Sequence, residues 1–472
     1  VKLITLPDQS PLVTFRFVFH TGAAQDPEGK AGAAWLTAMM LSNGGSRSRT
    51  YKQILDALFP MGAAIECQVD QEMIAFCAEV HIDHLEPFYA LLRAMLLEPG
   101  WRQDDFDRLS DDAVNYLESE LRGQNDEELA KEVLYQEIFA GQPGGQCAAG
   151  AVSTLRALTL ADLREFYLAQ FSQDNLTVGL GGGYPLAFDE RVRHDFAALP
   201  LKSRSKRALL PPPPVDANEL LLVEKPARGV AISLGFPITV RRGHPDFPAL
   251  LLAASALGQH RMSSGRLFTR MRQYRGLNYG DYAYIEHFPG GMYTLEPPVN
   301  VARAHPVFQL WIRPVDRELA HFALRLALHE MEKFVTEGIS EAEFQRARSF
   351  LSKYVNLLLK TKSEELAYAI DSAFYGIPPY PAYVRESLAE LTCAQVNQAI
   401  QRHLRFDHWK IVAVGEGMEQ FREAILANQI SPMTYNSPKP PEILEEDRVV
   451  ERRPLALAPA NARVVPVSTI FA

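Results

Sequence analysis

Residues 12–20 (LVTFRFVFH) form an almost unbroken apolar run, rich in β-branched and aromatic side chains, and predict a buried strand. Apolar residues over 31–41, closed by Asn43-Gly44-Gly45, predict a helix with a defined stop, and 51–59 predicts a second. Alternation over 63–69 and 73–81 predicts a hairpin turning near Asp70–Glu72. Helical periodicity returns over 84–97, 106–121, 127–139 and 160–171. A strand over 176–180 then ends at Gly181-Gly182-Gly183, which lacks a G-x-x-G continuation and reads as a turn, not a phosphate loop.

A basic stretch over 202–207 and four prolines at 211–214 follow, a composition that stays extended and exposed and serves as a linker. Beyond it the pattern starts again. FDRLSDDAVNYL from Phe106 returns as FQRARSFLSKYV from Phe344. Glu127-Glu128-Leu129-Ala130 returns as Glu364-Glu365-Leu366-Ala367. Phe139, Gly141 and Pro143 return as Phe374, Gly376 and Pro378, and LTLADLREFYLAQF from Leu158 returns as LTCAQVNQAIQRHL from Leu391. The matches keep their order at a nearly constant offset of about 235 residues, which argues for duplication of a unit the size of one domain. The organisation expected is residues 1–200, a linker over 201–219, and a second copy over 220–472. The fold class expected is α+β, each copy a mostly antiparallel sheet with helices packed on one face.

Composition narrows the function. With 47% hydrophobic residues in 472, the chain can fill two cores. A formal charge of -9 argues against a dedicated nucleic-acid binder, and no apolar run is long enough for a membrane span. The chain opens at Val1 inside a predicted strand, so nothing about location follows from the absence of a leader. The four cysteines, 67, 77, 147 and 393, form no CxxC pair; Cys67 and Cys77 flank the predicted turn, where they either face each other or stay as two reduced thiols. His81 and His84 read as a surface pair, and His329-Glu330 lacks the second histidine of H-E-x-x-H.

The text FVFHTGAAQDPEGKAGAAWLTAMMLSNGG from Phe17, followed by SRTYKQILDALFPMGAAIECQVDQE, resembles the catalytic half of the zinc peptidase family of pitrilysin, insulin-degrading enzyme and mitochondrial processing peptidase. The resemblance covers about residues 1–430, and the tail from Val464 to Phe471 is similar to the family's closing segment. It implies an inverted zinc motif H-x-x-E-H on the helix after Gly29-Lys30-Ala31-Gly32, with two histidine ligands one turn apart and a glutamate that activates the metal-bound water. Here the five positions are Trp35, Leu36, Thr37, Ala38 and Met39. Trp35 offers no lone pair, Ala38 takes no proton, and Met39 is a poor zinc ligand. No histidine lies between His20 and His81, so no small change of register restores the motif. The family's third ligand is a later glutamate; the nearest candidates, Glu118 and Glu120, read as solvated helix charges without their two partners.

What survives is a run in the second copy, RLFTRMRQYRGLNY from Arg266, similar to the family's R-L-F-x-x-x-R-x-x-x-G-L-x-Y. The resemblance assigns Arg272 and Tyr279 to holding the substrate backbone near the scissile carbonyl, and leaves Arg270 and Arg275 as ordinary helix charges. Together, loss and retention imply the non-catalytic subunit of a heterodimeric zinc peptidase. Such a chain binds no cofactor of its own, takes its zinc from a homologous partner, and acts on unstructured peptides. Two alternatives are a scaffold subunit of a larger assembly and a peptidase with a metal site outside the family pattern. The resemblance favours the bacterial periplasm over the cytoplasm.

Overall fold

The computed structural model describes residues 1–204, 206–290 and 294–472. Its first sheet contains β1 (Lys2–Pro7), β2 (Leu12–Phe19), β3 (Ile65–Val69), β4 (Ile74–His81) and β5 (Leu176–Gly182), in the order β1-β5-β2-β4-β3. Only the β1–β5 pair is parallel. The second contains β6 (Glu219–Glu224), β7 (Val230–Pro237), β8 (Tyr282–Tyr284), β9 (Val307–Val315), β10 (Lys410–Gly415) and β11 (Ala462–Pro466), in the order β11-β6-β10-β7-β9-β8. The order β6-β10-β7-β9-β8 repeats that of the first sheet, and the C-terminal segment adds β11 outside it. The fold is α+β with two related halves.

β2 shows how each sheet is covered. Phe15, Phe17 and Phe19 point to their own half, where Phe15 meets Phe88, Tyr89 and Phe188, Phe17 meets Phe196, and Phe19 meets Phe171. Thr14, Arg16 and Val18, which alternate to the other face, are buried too. Their cover is helix Lys362–Tyr375 of the second half: Val18 shares a cluster with Ile370, and the Arg16 Nη2 donates to Ser363 Oγ at 2.9 Å. Close approach is built into β5, where a Cβ at Gly179 would lie 3.2 Å from Ile370 Cδ1 and one at Gly181 only 2.5 Å from Lys362 Cγ.

The first half returns the arrangement. Helix Asp126–Ile138 places Leu129, Val133 and Leu134 in one cluster with Leu221, Val223, Val412 and Val414 of β6 and β10. The alternate residues of those strands, Leu220, Leu222, Ile411 and Ala413, belong to the second half's own core. Each sheet thus packs its own helices on one face and receives one helix of the other half on its second face. The recurring Glu-Glu-Leu-Ala segments lie in the first turns of these two exchanged helices.

Three details differ from the sequence reading. The Gly181-Gly182-Gly183 segment does not turn at once: β5 runs on through Gly182, held by pairing to Pro7 and Val13. The helix expected over 106–121 is Gln103–Asn115 followed by a π-helical turn, Tyr116–Leu121. Cys67 and Cys77 cannot face each other, because the register sets Cys67 against Phe76 and Cys77 against Glu66, on opposite faces of the sheet. Both are free thiols.

The duplicated hairpins are unequal. In the first half, turn 70–73 joins β3 to β4; in the second, the long segment 285–306 joins β8 to β9. Its described part reaches back to the first half's turn. Arg303 donates to both Asp70 oxygens (2.9 and 2.7 Å), the Ala304 amide donates to Glu72 (2.7 Å), and the Gln68 amide donates to the carbonyls of Val299 and Asn300.

Candidate functional site

The helix that carries the altered motif, Ala33–Asn43, begins after Gly32, whose φ of 96° and lack of a Cβ both matter: a Cβ there would lie 2.8 Å from Leu155 Cδ2. The buried Asp26 carboxylate receives the amides of Gly32 and Ala34, each at 2.7 Å, and so anchors the start of the helix. Burial raises the Asp26 carboxyl to about 8 against the pull of those two amides. Leu36, Thr37 and Ala38 are fully buried, whereas Trp35 and Met39, one turn apart, are half-buried on a common face.

The Trp35 ring stacks on Tyr116, centroids 6.0 Å apart and planes 14° apart. Tyr116 thus stands where a third ligand would face the motif. Glu118 and Glu120 are exposed, and Glu118 pairs with Arg122 at 3.1 Å. Burial raises the Tyr116 phenol, and the Met39 sulfur lies 3.9 Å from Asn43 Nδ2. The three motif positions and Tyr116 carry an indole, a methyl, a thioether and a protonated phenol. None of these four is an anionic or imidazole ligand or a base, and they do not fit zinc; the carboxyl that acts most strongly on the Tyr116 phenol is that of Glu132, which burial raises to about 7. Tyr116 was legible in the sequence only as one aromatic on a helix; pairing it with Trp35 required the tertiary structure.

Among the described residues, one group of metal-type side chains lies elsewhere: His244, Asp246 and His403, with ligand atoms within 4.8 Å of one another. There Asp246 Oδ2 already accepts from Arg402 (2.6 Å) and His403 (2.7 Å), bonds that tie the N-terminus of helix Phe247–Gly258 to the end of helix Cys393–His403.

The second copy brings Arg272 and Tyr279 together. A π-helical turn, Phe268–Gln273, is pinned by buried Met271, and the chain reverses at Gly276, φ 68°, onto buried Leu277. Arg272 Nη1 donates to the Tyr279 carbonyl at 3.2 Å, and its guanidinium lies 4.8 Å from the Phe268 ring and 5.4 Å from the Tyr279 ring. Tyr279 is 80% exposed. The two border an open pocket of about 530 Å³ lined entirely by second-half residues.

The neighbouring arginines behave differently. Arg266 pairs with Glu343; Arg270 pairs with Glu330 and Glu446; Arg275, fully buried in its side chain, pairs with Glu446 and Asp447. Arg270 and Arg275 are therefore not ordinary surface charges: they lock the run to helix Pro441–Val450. Burial alone would raise Glu446, but its bonds to His329 and Arg275, with the Arg270 charge, hold it well below the usual carboxylate range. Among the described residues of this run, Arg272 is the arginine that no carboxylate neutralises.

Comparison with known proteins finds two family models, which meet inside the first half and not at the linker. A family model described as insulinase (peptidase family M16) matches residues 3–151, and one described as peptidase M16 inactive domain matches residues 157–351. An uncharacterised zinc protease of Mycobacterium bovis is 23% identical over 386 residues, 79% of this chain and 81% of its own length. The non-peptidase homolog YmxG of Helicobacter pylori is 21% identical over 405 residues, 83% of this chain and 86% of its own. The crystal structure of a peptidase M16 inactive domain from Pseudomonas fluorescens aligns with a TM-score of 0.77 at 22% identity, over 88% of this chain and 95% of that one.

Proposed function

The chain belongs to the M16 peptidase family, and we propose that within it the chain is the non-catalytic subunit of a two-chain zinc peptidase. The observation that carries this reading is the contrast between the two copies. The motif positions hold Trp35, a buried Ala38 and Met39, with Tyr116 stacked on Trp35, a set that does not fit zinc, while among the described residues the second copy keeps Arg272 without a carboxylate partner beside an exposed Tyr279. A homologous partner with an intact H-x-x-E-H then supplies the metal and the general base. In this chain, the always-charged Arg272 fork donates to a substrate carbonyl, and the Tyr279 hydroxyl donates to the oxygen that gains charge as the peptide bond is attacked. Unstructured peptides suit this task, since an extended backbone offers its carbonyls to both donors. The bacterial periplasm is the proposed setting.

The test is reconstitution. Alone, the chain should not cleave a fluorogenic peptide in a zinc-dependent way; mixed with such a partner, it should support turnover. Arg272→Ala or Tyr279→Phe should then lower kcat by about 10²-fold, the usual cost of a lost transition-state donor. Unchanged turnover in both variants would remove the substrate-holding role. The name of the Helicobacter relative supports a second reading, a scaffold subunit; recovery of the chain only in a large assembly devoid of peptidase activity would favour it.

A further inference from the structure

We propose that Glu127, on the exchanged helix of the first half, is the positioning residue for Tyr279 of the second half. The proposal rests on the substrate-holding reading and deepens it by naming what aims the tyrosine. The Tyr279 side chain is 80% exposed, so packing does little to hold it, and its aim is left to the backbone on either side. That backbone is a short turn over residues 278–281. Asn278 Nδ2 donates to Asp281 Oδ1 at 2.7 Å, and the Gly280 amide donates to Asn278 Oδ1 at 3.0 Å. The turn is docked on one residue of β9: the Arg313 amide donates to Asp281 Oδ1 at 3.0 Å, and the Arg313 carbonyl accepts from Asn278 Nδ2 at 2.9 Å.

The two side chains that flank this turn both end on Glu127. Arg313 Nε donates to Glu127 Oε2 at 3.1 Å, and the hydroxyl of Tyr282, the residue that follows the turn, donates to Glu127 Oε1. Bonds to an ionised carboxylate are the stronger kind, and two of them fix its direction. Tyr282 is a stiff arm, 1% exposed, with its ring 5.0 Å from that of Trp311. Lys131, one helical turn beyond Glu127, lies 3.5 Å from the same carboxylate. The sequence repeat shows that this reach is not the default for a glutamate at this place. Its counterpart Glu364 folds back on Thr361 and caps its own helix. In the first half Asn125 receives the Glu128 amide as the cap, and Glu127 crosses to the other half instead. A tyrosine that must meet a developing charge needs its turn held to a fraction of an ångström, and Glu127 is where the first half supplies that constraint.

Hydrogen exchange read by mass spectrometry on the whole chain tests the fastening without a partner. Glu127→Ala should speed exchange over residues 278–282 about tenfold, while Val230–Pro237 of β7 keeps its wild-type rate. Glu128→Ala removes a bond to Lys131 on the same helix and should leave residues 278–282 as they were. Glu127→Gln keeps an acceptor for one of the two donors and should restore part of the protection. In the reconstituted two-chain peptidase, Glu127→Ala should lower kcat about tenfold with little change in KM. It should cost nothing further in a chain that already carries Tyr279→Phe, because it acts through that hydroxyl. Unchanged exchange over residues 278–282 overturns the proposal, as does a full additional loss in the Tyr279→Phe background. Lost turnover in Tyr279→Phe with none in Glu127→Ala also overturns it, and leaves substrate holding intact. Unchanged turnover in Tyr279→Phe is instead the failure of substrate holding, and removes the positioning role with it.

Discussion

Leu134 sits on a helix of the first half, yet its side chain is fully buried against the second half's sheet, 3.3 Å from where a Cβ on Gly235 would lie. Leu134→Ala should therefore destabilise the molecule as a whole. A buried leucine truncated to alanine costs about 3 kcal/mol, within a range of roughly 2–5. The size of the Tm shift then reports the size of the cooperative unit. At about 2.1 cal/mol/K per residue, unfolding the whole chain carries an entropy of about 1 kcal/mol/K, and the shift is about 3 °C. If the halves melted independently, the affected half would carry about half that entropy and shift about 6 °C, leaving the other transition in place. Differential scanning calorimetry separates the cases. Reciprocal helix exchange requires one transition whose calorimetric and van't Hoff enthalpies agree, in wild type and variant alike. Two transitions, of which only one moves, would refute it.

Three further outcomes follow from the same geometry. Glu446→Gln should lower stability by about 2 kcal/mol, since it breaks charge-assisted bonds that anchor the Arg272 segment. Because the folded state depresses this carboxyl below its usual 4.5, its stabilisation is complete above that pH and is lost as pH falls through the folded value; the gap in urea midpoint between wild type and variant should be widest above pH 4.5 and close below it. Restoring the motif with Trp35→His, Ala38→Glu and Met39→His should give weak zinc binding by calorimetric titration, and adding Tyr116→Glu should tighten it at least tenfold, whereas Glu118→Gln in the restored chain should change nothing, because Tyr116 and not Glu118 faces the motif. Arg303→Ala should cost about 3 kcal/mol in urea denaturation by leaving Asp70 buried and unpaired, and a second change, Asp70→Asn, should recover part of that loss.

The chain by itself determined whatever depends on residue identity or local periodicity. The absence of ligands at positions 35 and 39 is a matter of donor chemistry, and no fold can supply a lone pair that an indole lacks. The duplication, the two sheets and the Arg272–Tyr279 spacing are repeats and patterns that need no knowledge of neighbours. What only the tertiary structure decided is which distant segments meet. Leu134 and Leu366 lie on helices of opposite halves, yet each packs beneath the other half's sheet, because Gly179, Gly181 and Gly235 leave room there. Arg270 and Arg275 read as ordinary helix charges; a segment more than 160 residues away neutralises both, and among the described residues Arg272 between them has no carboxylate partner. Cys67 and Cys77 were set apart by strand register, and Tyr116 was set against Trp35 by helix packing. Such pairings are fixed by burial summed over the whole molecule, and no local window of sequence contains that sum.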